Sequence, residues 1–319
     1  MKQIALSLLL AGTFLATVAK AQSSSTPVIG YYKITVPAGS SAWCSAFVTK
    51  KEFQGAATSS APSGANTIIT QTGASFGALT SHYVEILSGD NTGLILDVVS
   101  NAATTITIEG AVAIPAGTTY CVRKHATVSQ VFRNGADLAD FSDTVTIVDA
   151  NGVEKAYGDD GSQIVDASDF ATPAGNDIIY PGQGFVITSG GGEFTFGGNE
   201  VSYVKAGPTI IPAYAGRLNL VGVMSPVVDG SPGDAAATNE VTALSGLGFG
   251  TLADFSDTMS IFSVDGVLTE IVIGRDGSNF VNASDFTTVI PGTTPIRNGA
   301  AVSVTVTNDT TFTQPQLVP

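Results

Sequence analysis

The sequence predicts an all-β protein built from two related antiparallel β-meander or sandwich units, the first carrying an inserted small β-barrel-like subdomain. Three observations predict it. Short β-branched runs alternate with a period of two, Asp-Gly and Asn-Gly turns separate them, and one stretch occurs twice. "LADFSDTVTI" at 138–147 returns as "LADFSDTMSI" at 252–261, and "DGSQIVDASDF" at 160–170 returns as "DGSNFVNASDF" at 276–286. Alternation of this kind lays a run on a pleated sheet with one face inward. Asp-Gly and Asn-Gly supply the positive φ of tight hairpin turns. Swaps between the copies are small and hydrophobic, Val145 for Met259 and Ile164 for Phe280, as when one backbone answers to the same packing twice.

In chain order, the first element is an export signal. Met1 and Lys2 give a basic start, residues 4–18 are apolar but short for a bilayer span, and Ala19-Lys20-Ala21 is a small-x-small cleavage pattern. The expectation is a signal peptide over 1–21, cleaved after Ala21, with a secreted or cell-envelope product. Gln22 rather than Cys follows the cut, so no lipoprotein anchor is suggested, and no later stretch predicts a transmembrane segment. Past it come strand runs at 31–36, 82–87, 94–99, 104–109, 144–149 and 301–307, with turns at 149–152, 160–161, 181–182, 265–266 and 276–277. Helix is expected only as short turns near 128–132 and 240–244.

The copies align beyond their identical cores. "IIYPGQGFVIT" at 178–188 matches "PIRNGAAVSVT" at 295–305, and "ITVPAGSSAWCSAFV" at 34–48 matches "TIIPAYAGRLNLVGV" at 209–223 through Ala38-Gly39 and Ala215-Gly216. The first copy is then longer by a segment containing three successive strand runs. We read residues 22–205 as the first unit with an inserted β subdomain over about 55–125, and 206–319 as the second. Cys44 and Cys121 are an even pair in an exported chain, so a disulfide tying insert to host is expected, contributing about 4 kcal/mol in the loop-entropy model. Two buried free thiols are the alternative.

The order "ITVPAG", "HYVEI", "TTITIEG", "FSDTVTIVDANG", "VDASDF", "IIYPGQGFVIT" and "AGRLNLVGVMSPV" resembles a group of uncharacterised secreted β-rich proteins found as many paralogues in verrucomicrobial bacteria. The resemblance spans nearly the whole chain after residue 21. It departs where the group shows a Gly-Trp pair before the "DAS" motif, since Tyr157 is followed here by "GDDGS". The resemblance implies an exported β architecture with two related units, and it implies no reaction.

Composition narrows the function. The formal net charge is −14, and charged residues are 13% of the chain against about 25% in ordinary globular proteins. Nucleic acid is excluded as a partner, because a phosphate backbone would be repelled and no Lys/Arg cluster interleaved with aromatics reverses this locally. "GASFG" at 73–77 fits the hydrolase G-x-S-x-G pattern with Ser75 as nucleophile, but a strand run follows where the elbow needs a helix. His82 and His125 are the only histidines, one placed at a strand edge and the other closing the basic trio Arg123, Lys124, His125. Neither has a triad context, and two His with two oxidised Cys disfavour zinc.

Carboxylates repeat more faithfully. Asp140, Asp143, Asp160 and Asp169 recur as Asp254, Asp257, Asp276 and Asp285, an oxygen-rich set of possible calcium ligands, while Asp166 becomes Asn282 and Asp159 becomes Arg275. Turn formation through Asx hydrogen bonds accounts for them equally. No other cofactor is indicated. The expectation is a non-catalytic, exported structural or interaction protein of an envelope, matrix or extracellular assembly, by self-association through β edges. The alternative is a carbohydrate-binding module that contacts surface polysaccharide through Tyr31, Tyr32, Tyr83, Tyr203 or Tyr214. Trp43, the sole Trp, is placed in a core strand, and a secreted hydrolase is a distant third.

Overall fold

A computed structural model describes residues 29–45, 48–133, 138–149, 151–197, 201, 203, 205, 207–224, 241–261, 270–297 and 299–315. The expected signal peptide, the 265–266 turn and Glu240 lie outside the described residues, as do the side chains of Tyr31 and Tyr32. The fold is almost wholly antiparallel β, with one short helix and two 3-10 turns among the described residues. No helix there is long and apolar enough to cross a membrane.

Strands β1 (Tyr31–Val36) and β2 (Ser40–Ser45) turn at Gly39, where φ is 71°. The chain then leaves its host to build the insert: β3 (Lys51–Ala56), β4 (Ser59–Ser63), β5 (Asn66–Thr70), β6 (His82–Ile86), β7 (Ile95–Ala102), β8 (Thr105–Ile108) and β9 (Thr119–Lys124). These form one seven-stranded sheet in the order β3-β9-β6-β7-β8-β5-β4. Its two edge strands, β3 and β4, are consecutive in sequence, and β7 bends at a bulge near Val98, so the sheet curls round its own core of Ile69, Val84, Ile86, Ile106, Tyr120 and Val122. The inserted segment therefore forms a sheet of its own, from Lys51 to Lys124. Every residue of β6 is buried. Alternate residues fill the insert's core, and Tyr83 and Glu85 point to the opposite face.

The chain returns through β10 (Ala126–Thr127) and helix α1 (Val128–Val131), which opens on a capping box between Thr127 and Gln130. There follow β11 (Thr144–Val148), β12 (Glu154–Asp159), β13 (Ile164–Asp166), β14 (Ile178–Ile179), β15 (Gly184–Ser189) and β16 (Gly192–Gly197). The second unit comprises β17 (Thr209–Ala213), β18 (Asn219–Gly222), β19 (Val241–Ala243), β20 (Thr258–Ile261), β21 (Ile271–Arg275), β22 (Phe280–Asn282), β23 (Val289–Ile290), β24 (Pro295–Arg297), β25 (Ala301–Thr305) and β26 (Thr310–Gln314).

Sheet order is the same in both units: β13-β12-β11-β15-β2 in the first and β22-β21-β20-β25-β18 in the second, each accompanied by the pairs β1-β16 or β17-β26 and β10-β14 or β19-β24. Register matches as well. Val145 faces Tyr157 and Ile187, and at the aligned positions Met259 faces Ile273 and Val304. The one added strand, β23, occupies the place where Pro173 makes only a bridge to Val165, since proline cannot extend a ladder.

The two units join as a symmetric pair would. Cys44 bridges Ala300 and Gln183 bridges Val221; Ser45 N–H donates to Gly299 O at 2.8 Å and Gly222 N–H to Gly182 O at 2.8 Å. In the repeat alignment Cys44 corresponds to Val221, Gln183 to Ala300, Ser45 to Gly222 and Gly182 to Gly299. Each contact therefore has its reciprocal, the signature of an isologous interface about a local two-fold. Near that axis equivalent residues meet each other. A Cβ on Gly184 would lie 2.6 Å from Ala301 Cβ, and one on Gly222 would overlap Ser45 Cβ. Each pair has a side chain on one copy only, which lets the backbones approach more closely than two identical residues would. One continuous core runs through both units, from Ile34 and Phe185 to Val302 and Phe312.

The expected disulfide is not formed. Cys44 and Cys121 are both free and buried. Cys44 packs in the core shared by the two units, whereas Cys121 points away from the insert's own core, its thiol donating to Glu85 Oε2 at 3.3 Å. Different sheets fix the two sulfurs in separate environments. Burial pushes the Cys121 thiol up to about 12 and the Cys44 thiol up further, so neither is a reactive thiolate.

Candidate functional site

Among the described residues, five other than glycine adopt positive φ: Ser81 and four phenylalanines, Phe141 (55°), Phe170 (48°), Phe255 (58°) and Phe286 (51°). The phenylalanines fall at equivalent places in the two copies. In each unit the turn residue before β11 or β20 donates its N–H to the β12 or β21 backbone, Phe141 to Asp159 O at 2.9 Å and Phe255 to Arg275 O at 2.8 Å. The second ring comes from the "DAS" or "NAS" turn, whose Phe170 and Phe286 N–H groups donate to Asp166 O and Asn282 O at 2.8 Å. Ring centroids are 5.8 Å apart in both pairs. Glycine makes the floor: a Cβ on Gly158 would lie 2.5 Å from Phe170 Cε1, and one on Gly274 2.6 Å from Phe286 Cε1.

Phe141 and Phe255 are each 61% exposed. A bulky L-residue in the left-handed region costs about 1–2 kcal/mol, and an exposed ring forgoes most of the gain of burial. Glycine or asparagine would satisfy the backbone better. A residue that is unfavourable twice over, in both copies, is a candidate for function.

The aspartates are loop caps. Asp143 Oδ2 accepts from Ala139 N at 2.9 Å and Asp257 Oδ2 from Ala253 N at 2.8 Å, while their Oδ1 atoms accept from Gly190 N and Thr307 N. Asp169 and Asp285 accept from Thr172 Oγ1 and Thr288 Oγ1, each at 2.6 Å, and from the adjacent backbone. Asp160 and Asp276 hold their Asp-Gly turns through Ser162 N and Ser278 N. Asp140 lies against Gly161, and Asp254 is 3.5 Å from Arg275 Nε. Among the described residues no three His, Cys, Asp or Glu side chains are grouped to hold a metal ion. The eight carboxylates expected as calcium ligands are spread over separate turns. Asn282 replaces Asp166 without loss because one oxygen suffices: Ser168 N and Ser284 N each donate to it at 2.9 Å.

A guanidinium is kept beside each turn from a different position in the chain. Arg133 Nη2 donates to Gly161 O at 3.3 Å and Arg275 Nη2 to Gly277 O at 3.4 Å. Arg133 is paired with Asp159; in the second copy the arginine itself stands on the strand and Asp254 balances it.

Hydrogen bonds from Thr172 and Thr288 hold the Asp169 and Asp285 carboxyls down at about 2. A lowered value means that their capping is complete above the ordinary carboxylate range and is lost as pH falls through about 2. Carboxyl-detected NMR titration is expected to find these two moving together at the acid end. Ordinary titration of either would contradict the shared cap.

The other candidate residues are placed apart. Ser75 is exposed in the loop between β5 and β6, with no strand-turn-helix elbow around it. His82 opens the interior strand β6 and is buried, which corrects the strand-edge expectation; its ring bonds Thr80 O and Glu52 Oε2. His125 is buried between Tyr83 and Tyr180, with Nε2 3.1 Å from Asp97 Oδ1. Tyr83 is buried, Tyr203 and Tyr214 are half-buried, and Trp43 is half-buried in β2.

Under β6 lies a buried ion cluster. Glu85 accepts from Arg123 Nε at 2.9 Å and pairs with Lys205 Nζ at 3.1 Å. Lys205 belongs to the segment joining the two units, so the cluster fastens the insert to that junction.

The phenylalanines carry none of the acid, nucleophile or ligand chemistry by which a site is read from sequence. The signal was present: a lone Phe inside the polar strings "ADFSD" and "ASDF", kept in both copies. No family model, curated protein or solved structure matches the chain.

Proposed function

We propose that the chain is an exported, non-catalytic structural or interaction protein of an envelope, matrix or extracellular assembly, associating with further copies through the exposed Phe141 and Phe255 of its two phenylalanine pairs. The carrying observation is that both copies keep an exposed aromatic residue where the backbone disfavours it. Duplication of one unit accounts for the common sheet order, register and caps. A chain with two equivalent sites can engage two neighbours, and contacts that do not close on themselves give extended assemblies. The resemblance to secreted verrucomicrobial repeat proteins agrees with export.

Sedimentation velocity across a concentration series tests this reading. Mass is expected to rise with concentration, and Phe141→Ser with Phe255→Ser is expected to abolish the rise. A monomer at every concentration that is retained on a polysaccharide column would replace this reading with carbohydrate binding. Hydrolase activity lost in Ser75→Ala would overturn both.

A further inference from the structure

Apart from the phenylalanine pairs, a cleft of about 510 Å³ opens where the insert meets both units. That volume lies within the range of small-molecule sites, which form preferentially between domains. Its apolar walls come from all three parts: Ile95 and Leu96 of the insert, Val148 of the first unit, and Ile210, Leu218 and Leu220 of the second. Tyr180 and Tyr214 contribute rings, and Asp97, Glu109 and Asp149 contribute carboxylates.

The polar groups left for a ligand are mostly acceptors. Gln183 spends its amide on Val148 O and Tyr180 N, and Asn219 donates to Tyr214 O, Arg217 O and Val304 O. The Tyr180 hydroxyl donates to Asp97 Oδ2 at 3.2 Å, and Asp149 accepts from Asn151 N and Val153 N. Glu109 stands exposed beside Asp97, its N–H donating to Asp97 O. Among the described residues no Lys, Arg or His lines the cleft, although His125 stands behind Asp97 with Nε2 3.1 Å from its Oδ1; Arg217 borders the cleft, stacked 5.1 Å from the Tyr214 ring centre. Both Asp97 oxygens already have partners, so a ligand must bring donors, and positive charge, to the Glu109 end.

We propose that this cleft binds an amphipathic organic cation, a primary ammonium or guanidinium on an apolar stem. The cationic head sits at Glu109, with the Asp97 carboxylate beside it, and the stem lies along Ile95, Ile210, Leu218 and the Tyr214 ring. A carboxylate is a stronger acceptor for a cation than for a neutral hydroxyl, which favours this class over a sugar.

Calorimetric titration of the full chain with hexylammonium, hexanol and cellotriose tests the assignment. Hexylammonium is expected to bind, to weaken as salt rises, and to outcompete hexanol of the same stem by about tenfold or more. Glu109→Gln is expected to remove that advantage, and Tyr214→Ala to weaken both hexyl probes. Glu109 is exposed, so its variant is expected to fold with an unchanged melting midpoint. Equal binding of hexanol and hexylammonium, binding of cellotriose alone, binding unaffected by Glu109→Gln, or no binding of any probe would each overturn the assignment.

Discussion

Replacing Glu85 by glutamine is expected to lower stability by about 3–5 kcal/mol, because breaking a buried pair leaves unbalanced charge in a low-dielectric site. The carboxylate is 3% exposed and lies between Arg123 and Lys205, themselves 2% exposed. Burial alone would raise the Glu85 carboxyl; Lys205 and Arg123 overcome that and hold it below its ordinary range. Glutamine removes the only carboxylate these two cations share among the described residues, and Arg123 is further constrained because it also donates to Thr49 O. Lys205→Met should cost less, since the Arg123 pair survives. In the double variant one stranded cation has gone, so the two losses are expected not to add. Urea midpoints of the four proteins measure this, and simple additivity would contradict the cluster.

Gly222→Ser is expected to cost about 3 kcal/mol or more. Its Cβ would overlap Ser45 Cβ and lie 3.1 Å from Gln183 O, a backbone atom that cannot swing aside. Combining it with Ser45→Gly moves the side chain to the other member of the same equivalent pair. The swap is expected to recover the part of the loss that the Ser45 overlap causes, while the close approach to Gln183 O and the lost Ser45 hydroxyl bond to Val223 O, worth about 1 kcal/mol, remain. Failure of the second substitution to help would mean that the two units do not meet about a local two-fold.

Much of this architecture was legible in the sequence, and for physical reasons. Strand alternation and Asp-Gly turns are local, so β11 and β20 could be read from their own residues. The repeat carried the rest: the Ala38-Gly39 and Ala215-Gly216 match was faint in letters, yet β1 and β17 take the same register against β16 and β26. Long-range facts were not legible. Whether Cys44 and Cys121 meet depends on which faces two sheets turn to each other, and cysteine count says nothing of that. Burial of Glu85 depends on Lys205 of the junction reaching the outer face of β6, a contact between residues far apart in the chain. The aspartates were seen, but ligand and turn readings differ only in where the lone pairs point. Phe141 and Phe255 became informative only when exposure and φ were known together.

The most direct test of the account is to measure stability and association on one protein, Phe141→Gly with Phe255→Gly. Glycine relieves the positive φ, so the melting midpoint is expected to hold or rise while concentration-dependent association disappears. A fall in the melting midpoint with association intact would show that the exposed rings serve the fold, and would contradict the claim that they are kept for contact with other molecules.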